Sequence, residues 1–292
     1  MEVTQQPVAD QGLGLVLEGG ALRGLFTAGV IDVMMERGVY PDGLIGVSAG
    51  AAFGCNMKSR QPGRALRYNK RFAHDWRYCS LRSLILTGDM FGGDFCYRRV
   101  PDELDIFDKQ AFNDSPMKFY AVCTDVDTGK AVYKQLQNTD PDFYQWIRAS
   151  ASMPLASKIV HINGQRLLDG GIADSIPLRY FQSIGYRRNI VVLTQPRDFV
   201  KTPSKMNKLI NFMLRRYPRF TEASNYRHVM YNDELDYIRQ EEQAGRAWVL
   251  APEAKLPIDH VTHDTDTMDE VYLQGRRAIE QRWDDLMAFI KA

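Results

Sequence analysis

The sequence predicts an α/β fold with a mainly parallel central sheet, followed by a mainly helical C-terminal portion. Two strand-turn-helix units near the start carry this prediction. Residues 14–17 and 44–47 are short apolar runs, and glycine-containing turns follow each of them. Residues 22–37 have apolar side chains at helical spacing, and residues 49–57 are rich in small helix-compatible residues. Strands that alternate with helices in this way are typical of a parallel sheet.

The remaining elements follow from short apolar runs and from helical periodicity. Further strands are predicted at residues 118–123, 131–133, 159–162, 166–168, 189–194 and 247–250, with a hairpin turn at 163–164. Helices are predicted at residues 143–152, 177–184, 205–216, 220–245 and 268–290. Residues 59–116 are predicted to be irregular. The sequence changes character after Pro196, which suggests a body at residues 12–195 and a helical region at 196–292.

The charge of the chain is balanced overall and uneven locally. The net charge of +1 predicts no bulk attraction to nucleic acid or to an anionic membrane. Residues 58–82 contain eight Lys or Arg and one acid, and residues 197–227 contain eight basic and two acidic residues. Such runs are usually solvated faces, and the alternative is a surface that meets phosphate head groups.

The composition gives no indication of a metal site, a secretory signal or a membrane span. The four cysteines (Cys55, Cys79, Cys96, Cys123) form no CxxC pair and no cluster with histidines, so neither zinc nor a disulfide framework is expected. Residues 1–12 lack the basic and apolar regions of a signal peptide. No apolar run reaches the roughly 18 residues of a membrane helix. We therefore expect a cytoplasmic protein, with any membrane contact peripheral.

A serine motif follows the second predicted strand. Residues 46–50 match G-x-S-x-G, with Ser48 between Gly46 and Gly50. A serine between a strand and a helix lies in a strained turn that exposes its hydroxyl, and the glycines let neighbouring backbone pass. The helix N-terminus below it favours developing negative charge. The pentapeptide also occurs by chance, but the β-forming residues before it and the small residues after it favour a nucleophile.

A glycine-rich turn, EGGALRG at residues 18–24, follows the first predicted strand. One interpretation is a phosphate-binding loop, although the Lys-Ser/Thr of a P-loop is missing and a dinucleotide fingerprint would need Ala21 in place of a glycine. The other is an oxyanion hole made of backbone N–H groups. Adjacent parallel strands place this turn and Ser48 at the same edge of the sheet. A nucleophile beside an anion cradle favours acyl transfer over nucleotide binding.

The third motif is Asp169-Gly170-Gly171, at the end of a hairpin strand. Taken alone, this tripeptide is typical of an ordinary aspartate turn. A histidine after Asp169 would complete the residue order of an α/β-hydrolase triad. That fold has several strands before its nucleophile, whereas only one precedes Ser48, so we do not favour a triad. The histidines are His74, His161, His228, His260 and His263.

In this order and spacing, the three motifs resemble the patatin-like phospholipase family. A fourth segment, A-S-x-x-x-P at residues 149–154, strengthens the resemblance, which covers residues 12–195. It implies a three-layer sandwich around the central sheet. Two positions depart from the family pattern: Ala21 replaces the third glycine of the loop, and Glu18 replaces the usual leading residue. The Ala21 N–H remains usable if this residue keeps a negative φ.

The resemblance implies a Ser-Asp dyad, with Ser48 as nucleophile and Asp169 as proton acceptor, and no metal or organic cofactor. The oxyanion hole would be formed by Gly19, Gly20 and Ala21. The supporting motif residues are Arg23, Gly24, Gly46, Gly50, Gly170 and Gly171.

The implied substrates are lipid acyl esters such as phospholipids or lysophospholipids. The alternatives are a soluble esterase or thioesterase for short acyl groups and, in another class, a non-catalytic lipid-binding or scaffold protein. The aromatic and basic segment 59–97 would border an acyl channel or face a membrane. No nucleic-acid partner is expected, and the oligomeric state is open.

Overall fold

The computed structural model describes residues 9–259 and 261–292, in which eight strands form one central sheet. The strands are β1 (Leu13–Leu17), β2 (Gly43–Val47), β3 (Lys118–Asp125), β4 (Ala131–Gln135), β5 (Val160–Ile162), β6 (Gln165–Asp169), β7 (Arg188–Val192) and β8 (Ala247–Leu250). Their order is β5-β6-β3-β2-β1-β7-β8, and β4 pairs with β3. The pairs β3–β2, β2–β1, β1–β7 and β7–β8 are parallel, which confirms the predicted mainly parallel sheet.

Helices cover both faces of this sheet. They are α1 (Gly24–Glu36), α2 (Ala49–Lys58), α3 (Arg64–Arg71), α4 (Leu81–Thr87), α5 (Lys109–Asp114), α6 (Phe143–Ser150), α7 (Leu178–Ser183), α8 (Asn207–Met213), α9 (Pro218–Gln243), α10 (Thr265–Gln281) and α11 (Trp283–Lys291). Short 3-10 turns occupy Ala21–Arg23 and Gly170–Ile172, and a π-helical segment occupies Phe95–Leu104.

The alternation of side chains along the strands separates two cores. In β1, Leu15 and Leu17 join the core that contains α1, α2 and α10, whereas Val16 joins the core that contains α7 and α9. Successive residues of a strand point to opposite faces, so β1 contributes to both cores. The molecule is therefore a helix-sheet-helix sandwich, as expected.

Helices α1 and α10 cross at very short distance because each has a glycine at the crossing. A Cβ on Gly29 would lie 2.2 Å from the carbonyl oxygen of Tyr272, and one on Gly275 would lie 2.0 Å from that of Phe26. Beside this crossing, the Tyr272 hydroxyl donates a 2.7 Å hydrogen bond to the buried carboxyl of Asp32. The C-terminal region is thus packed directly on the first helix of the α/β body.

Two predictions of secondary structure are wrong. Residues 59–116 are not irregular, because they contain α3, α4, α5 and the π-helical segment. These helices are short, and α3 consists mostly of polar and charged residues, so no apolar run marks it in the sequence. The predicted helix 268–290 is interrupted at Arg282, whose backbone (φ −107°, ψ 18°) leaves the helical range between α10 and α11.

The C-terminal region also contributes a strand, since β8 extends the sheet beside β7. The division at residues 195 and 196 stays a prediction. Across residues 9–259 and 261–292, no helix is both long and apolar enough to cross a membrane. Residues 1–8, on which most of the signal-peptide prediction rests, and His260 lie outside the described part of the chain.

Candidate active site

The pairing of three strands brings the ends of β2 and β6 together. On β3, Val122 pairs with Val47 at the end of β2, and the next residue, Cys123, pairs with Asp169 at the end of β6. The other edge of β3 is occupied by β4. Because β2 is parallel and β6 antiparallel to β3, the two strands meet end to end, and Ser48 is placed beside Asp169.

Ser48 lies in a strained turn between β2 and α2. Its backbone has φ 54° and ψ −121°, which a non-glycine residue rarely adopts and which costs roughly 1–3 kcal/mol. Ser150 holds this turn: its hydroxyl oxygen accepts the Ser48 N–H at 3.0 Å and donates to the Val122 carbonyl at 2.6 Å. Ser150 belongs to the A-S-x-x-x-P segment that the sequence analysis identified. The structure shows that its hydroxyl holds the turn at Ser48 in place.

Asp169 is buried, with 1% of its surface exposed. Its Oδ1 accepts the Gly171 N–H at 2.8 Å, whereas Oδ2 has no hydrogen bond of standard geometry among the described residues. Burial raises the pKa of this carboxyl, and the Ser48 hydroxyl, the charge of Arg227 and the Gly171 N–H each lower it by smaller amounts. One carboxyl oxygen is therefore fixed, and the other remains available for a proton near Ser48.

The loop after β1 passes directly beside Ser48. A Cβ on Gly19 would lie 3.0 Å from the Ser48 Cβ and 3.0 Å from the Val47 carbonyl oxygen, so only glycine allows this approach. Within the described structure, the N–H groups of Gly19, Gly20 and Ala21 donate no hydrogen bonds. Three unused amides next to a serine hydroxyl can stabilise a negatively charged oxygen.

The structure does not meet the condition of a negative φ at Ala21, yet the N–H group of this residue donates no hydrogen bond within the described structure and stays available. Its φ is +50°, the left-handed region that glycine adopts without cost. The glycine of the family pattern suits this backbone better than alanine, which is strained by about 1–2 kcal/mol in this region. The tight turn from β1 into Ala21–Arg23 imposes the angle, and the sequence alone could not show it.

The remaining glycines of the motifs permit close backbone contacts at the site. A Cβ would lie 2.4 Å from the Leu17 carbonyl oxygen at Gly50 and 2.2 Å from the Val122 carbonyl oxygen at Gly170. An added Cβ would also meet neighbouring atoms at the other three glycines. At Gly46 it would meet the Ala51 nitrogen, at Gly24 the side chains of Ala49 and Phe53, and at Gly171 the side chains of Arg227 and Asp169.

Glu18, the other departure from the family pattern, anchors the loop. Its buried carboxyl accepts the Thr194 N–H at 2.6 Å and the Tyr231 hydroxyl at 2.7 Å. Thr194 in turn donates its hydroxyl to the Gly19 carbonyl at 3.0 Å. Tyr231 lies on α9, so a C-terminal helix supports the loop that faces the serine.

A cavity of about 870 Å³ opens beside Ser48. Its wall is largely aromatic and aliphatic, and segment 59–97 supplies part of it, including Tyr68, Tyr78, Phe91 and Tyr97. The role of this segment beside an acyl channel stays a prediction. The aromatic lining residues are Phe53, Tyr68, Tyr78, Phe91, Tyr97, Phe107, Phe143, Tyr144 and Phe199. This volume falls in the range of small-molecule sites, and the apolar wall suits an acyl chain.

Besides Arg64, which forms a salt bridge with Asp105, three cations line the cavity: Arg23 from the glycine-rich turn, and Lys201 and Arg227 from the C-terminal region. Burial, together with the charges of Arg227 and Arg23, lowers the pKa of Lys201 to about 8. The Lys201 Nζ lies 4.5 Å from the Tyr231 ring centre, and Arg227 donates from Nε to the Gly171 carbonyl. In the described structure, Lys201 and Arg227 form no salt bridge with a carboxylate.

The described histidines do not complete a triad. His228 lines the cavity but bonds through Nδ1 to the Asn225 carbonyl at 3.0 Å. His74 and His263 stack on each other with ring centres 6.3 Å apart, and His161 is exposed on β5. Neither Ser48 nor Asp169 has a hydrogen bond to any of these four. Over residues 9–259 and 261–292, no group of acidic, histidine and cysteine side chains could hold a metal ion.

Residues 15–181, more than half of the chain, match the family described as patatin-like phospholipase. The chain belongs to the patatin-like phospholipase family. This confirms the resemblance that the motifs indicated. Residues 217–291 of this patatin-like protein match a domain of unknown function, DUF6363, which includes α9, β8, α10 and α11.

Several known proteins are similar to this patatin-like chain. The uncharacterized protein YjjU of Escherichia coli is 28% identical over 214 residues, which cover 68% of this chain and 56% of YjjU. Lysophospholipase NTE1 of Candida albicans is 25% identical over 300 residues, which cover 96% of this chain and 20% of NTE1. Lysophospholipase nte1 of Aspergillus niger is 29% identical over 181 residues, which cover 59% of this chain and 11% of nte1.

In three dimensions the chain is similar to VipD from Legionella pneumophila, with a TM-score of 0.47 and 11% identity, covering 98% of this chain and 72% of VipD. The chain spans about half the length of YjjU and a fifth or less of the two fungal lysophospholipases.

Sequence reasoning missed the residues that lie far from the motifs. Tyr231 and Thr194 carry no local signature, because their roles come from contacts with residues elsewhere in the chain. Lys201 and Arg227 belong to the basic run 197–227, which did signal a cationic surface. Lys58, in the other basic run, is buried and donates to the carbonyls of Ser115 and Met117, so its role is structural.

Proposed function

We propose that this protein is a serine acyl hydrolase that cleaves lipid acyl esters, of the phospholipase A or lysophospholipase kind, through a Ser48–Asp169 dyad. The observation that carries the proposal is the free Oδ2 of the buried Asp169 beside Ser48 in a strained turn. A hydroxyl held near an unsatisfied carboxyl oxygen is poised to lose its proton to it. Membership in the patatin-like family and the similarity to lysophospholipases support a lipid hydrolase.

In the proposed mechanism, Asp169 accepts the Ser48 proton as Oγ attacks the ester carbonyl carbon. The N–H groups of Gly19, Gly20 and Ala21 stabilise the oxyanion of the tetrahedral intermediate. Collapse of the intermediate breaks the ester C–O bond, and Asp169 returns the proton to the leaving alcohol. Asp169 then removes a proton from water, which attacks the acyl-enzyme, and the fatty acid leaves as Ser48 is regenerated.

The cavity supports a long acyl chain over a short one, because an apolar cavity of about 870 Å³ exceeds what an acetyl or butyryl group fills. The three cations support a phosphorylated substrate, since a phosphate near Ser48 would meet Arg23, Lys201 and Arg227. The free Oδ2 of Asp169 argues against a purely non-catalytic scaffold, because an unsatisfied buried carboxyl is costly without a use.

Labelling with a fluorophosphonate probe tests the dyad. We expect strong labelling of the wild type, none of Ser48→Ala, and labelling of Asp169→Asn slowed at least 100-fold, because the base is lost while the fold is kept. His228→Ala and His260→Ala are the controls for the triad alternative, and both should label at nearly the wild-type rate. Labelling of Ser48→Ala as strong as that of the wild type would exclude Ser48 as the nucleophile.

Two substrate comparisons, a chain-length series and a pair of lipids, separate the lipid hydrolase from the short-chain esterase. A series of p-nitrophenyl esters should give kcat/KM values that rise from C2 to C12. Lysophosphatidate should be cleaved in preference to monoacylglycerol, and Lys201→Gln should lower the ratio of the two kcat/KM values about tenfold. Lys130→Gln, an exposed lysine away from the cavity, is the matched control. A falling chain-length series contradicts the lipid substrate, and an unchanged ratio contradicts the phosphate contact.

A further inference from the structure

Helix α8 has an apolar face that no described part of the protein covers. Ile210 turns inward and is buried, while Leu209, Phe212 and Met213 are 45%, 62% and 60% exposed. Just before the helix, Met206 and Val200 are 49% and 67% exposed. Large apolar residues grouped in this way on a soluble surface are typical of an interaction site. We call the five exposed residues, Val200, Met206, Leu209, Phe212 and Met213, the α8 surface.

The segment that carries the α8 surface is strongly basic, with Asp198 and Glu222 as the acids that flank it. From residue 199 to residue 221 the chain has no acidic residue. Its basic residues are Lys201, Lys205, Lys208, Arg215, Arg216 and Arg219. All of them except Lys201 are exposed, and the Arg215 guanidinium lies 5.0 Å from the Phe212 ring centre. Apolar side chains flanked by Lys and Arg are the pattern of a helix that lies in the surface of an anionic membrane.

The α8 surface also borders the cavity of the candidate active site. Met206, Asn207 and Ile210 line that cavity with one side of the segment, while Leu209 and Phe212 face outward. Helix α4 also exposes apolar residues, with Leu81, Ile85 and Leu86 exposed by 69%, 82% and 62%. None of its residues lines the cavity, but Met90, three residues after α4 ends, does, and its N–H bonds to the carbonyl of Ala156, another lining residue. The α8 segment is thus the exposed apolar helix that directly borders the cavity.

We propose that the α8 surface docks this protein on a lipid bilayer that contains anionic lipids, with Leu209, Phe212 and Met213 inserted among the acyl chains. Lys205, Lys208 and the arginines after the helix then contact the lipid phosphates. Docking at this place presents the cavity to the membrane, from which an acyl chain can enter without crossing water. The inference goes beyond the proposed reaction, because binding does not require a functional Ser48.

A second copy of the chain is a poorer occupant of this surface. In a two-fold symmetric dimer the same patch meets itself, so the basic residues of one copy would face those of the other. With six basic residues between 199 and 221 and only the flanking acids Asp198 and Glu222 to oppose them, such an interface would bring together mostly like charges. An anionic bilayer offers acyl chains to the apolar residues of the α8 surface and phosphates to the basic residues beside it.

Vesicle co-sedimentation tests the proposal, with the Ser48→Ala protein so that the lipids stay intact. We expect it to bind vesicles of phosphatidylglycerol and phosphatidylcholine more tightly than pure phosphatidylcholine vesicles, and to be released as salt rises. Phe212→Gln and Leu209→Gln should each weaken partitioning about tenfold, since a buried apolar side chain is lost. Lys205→Gln and Lys208→Gln should each weaken it about fivefold, and only on anionic vesicles.

The matched control is Leu273→Gln on α10, because Leu273 and Leu209 are both 45% exposed. All of these positions are exposed, so the variants should fold, and circular dichroism with sedimentation velocity checks this. Partitioning of Leu209→Gln equal to that of Leu273→Gln would overturn the proposal. So would a wild-type dimer that Phe212→Gln converts to a monomer. Hydrolysis of a soluble ester by Phe212→Gln at the wild-type rate, combined with weak vesicle binding, would support it and leave the dyad untouched.

Discussion

Replacing Tyr231 with phenylalanine tests whether α9 positions the oxyanion loop. The Tyr231 hydroxyl donates a 2.7 Å hydrogen bond to Glu18, and these residues are 1% and 3% exposed. Phenylalanine keeps the ring and its packing, so the change removes only this bond and leaves one carboxyl oxygen without its donor. Because a buried hydrogen bond to a charged group contributes about 1.5–3 kcal/mol, the free energy of unfolding should fall by about 2 kcal/mol.

The same change should lower kcat, because Glu18 also accepts the Thr194 N–H, and Thr194 holds the Gly19 carbonyl. A shift of the loop amides by a fraction of an ångström should lower kcat for a soluble nitrophenyl ester about tenfold, with little change in KM. Urea unfolding and steady-state kinetics measure the two effects.

Tyr237→Phe is the matched control on the same helix. The Tyr237 hydroxyl donates to the neutral amide oxygen of Gln182 and is half-buried, so we expect a loss of about 1 kcal/mol or less and an unchanged kcat. In a double-mutant cycle, Glu18→Gln and Tyr231→Phe should couple by at least about 0.5 kcal/mol. If Tyr231→Phe loses stability but keeps the wild-type kcat, the network supports the fold and does not position the loop.

Three further changes follow from backbone strain and from raised pKa values. Ala21→Gly should keep activity and gain up to about 1 kcal/mol in urea unfolding, and Ala21→Val should lose about 1–3 kcal/mol, because φ at this position is +50°. A loss of stability in Ala21→Gly would contradict this. The kcat/KM of the wild type should fall as the pH is lowered, because Asp169 must be ionised to accept a proton. The midpoint of this fall should lie above 3.8, the ordinary pKa of aspartate, because burial raises the pKa of Asp169. A pH-independent profile down to pH 4 would refute the assignment. Burial raises the pKa of Asp32 from 3.8 to about 6, so the folded state holds this proton more tightly, and stability should fall by about 2 kcal/mol as pH rises from 4 to 7. Asp32→Asn should lack this part of the pH dependence in urea unfolding, and equal slopes for the two proteins would count against it.

The motifs at the candidate site could be located from the sequence because their signals are local. Ser48 and the glycines around it identify a strand-turn-helix junction, and the EGGALRG turn identifies a second one at the same edge of the sheet. Asp169 was a weaker case, since a lone Asp-Gly-Gly is usually a turn. Its position became clear only from the register of β3, which places β2 and β6 end to end.

Other features depend on contacts that the sequence does not display. The short helices in residues 59–116 draw their stability from packing around the cavity rather than from their own propensity. The positive φ of Ala21 is imposed by the turn, although alanine by itself favours a negative angle. Tyr231 is separated from Glu18 by 213 positions, a distance at which no local pattern can indicate a contact.

Helix α9, in the region that matches the domain of unknown function, holds the two loops that flank Ser48. Tyr231 bonds to Glu18 at the base of the glycine-rich turn, and Arg227, one helical turn earlier, bonds to Gly171 in the loop of Asp169. Ser48 and Ala21 have strained backbones that cost roughly 1–3 kcal/mol each, and such angles persist only where surrounding contacts enforce them. Both contacts come from the same face of one helix, so a displacement of α9 would disturb the oxyanion loop and the aspartate loop together. The C-terminal region is in this sense part of the body that carries the candidate site, which agrees with the addition of β8 to the central sheet.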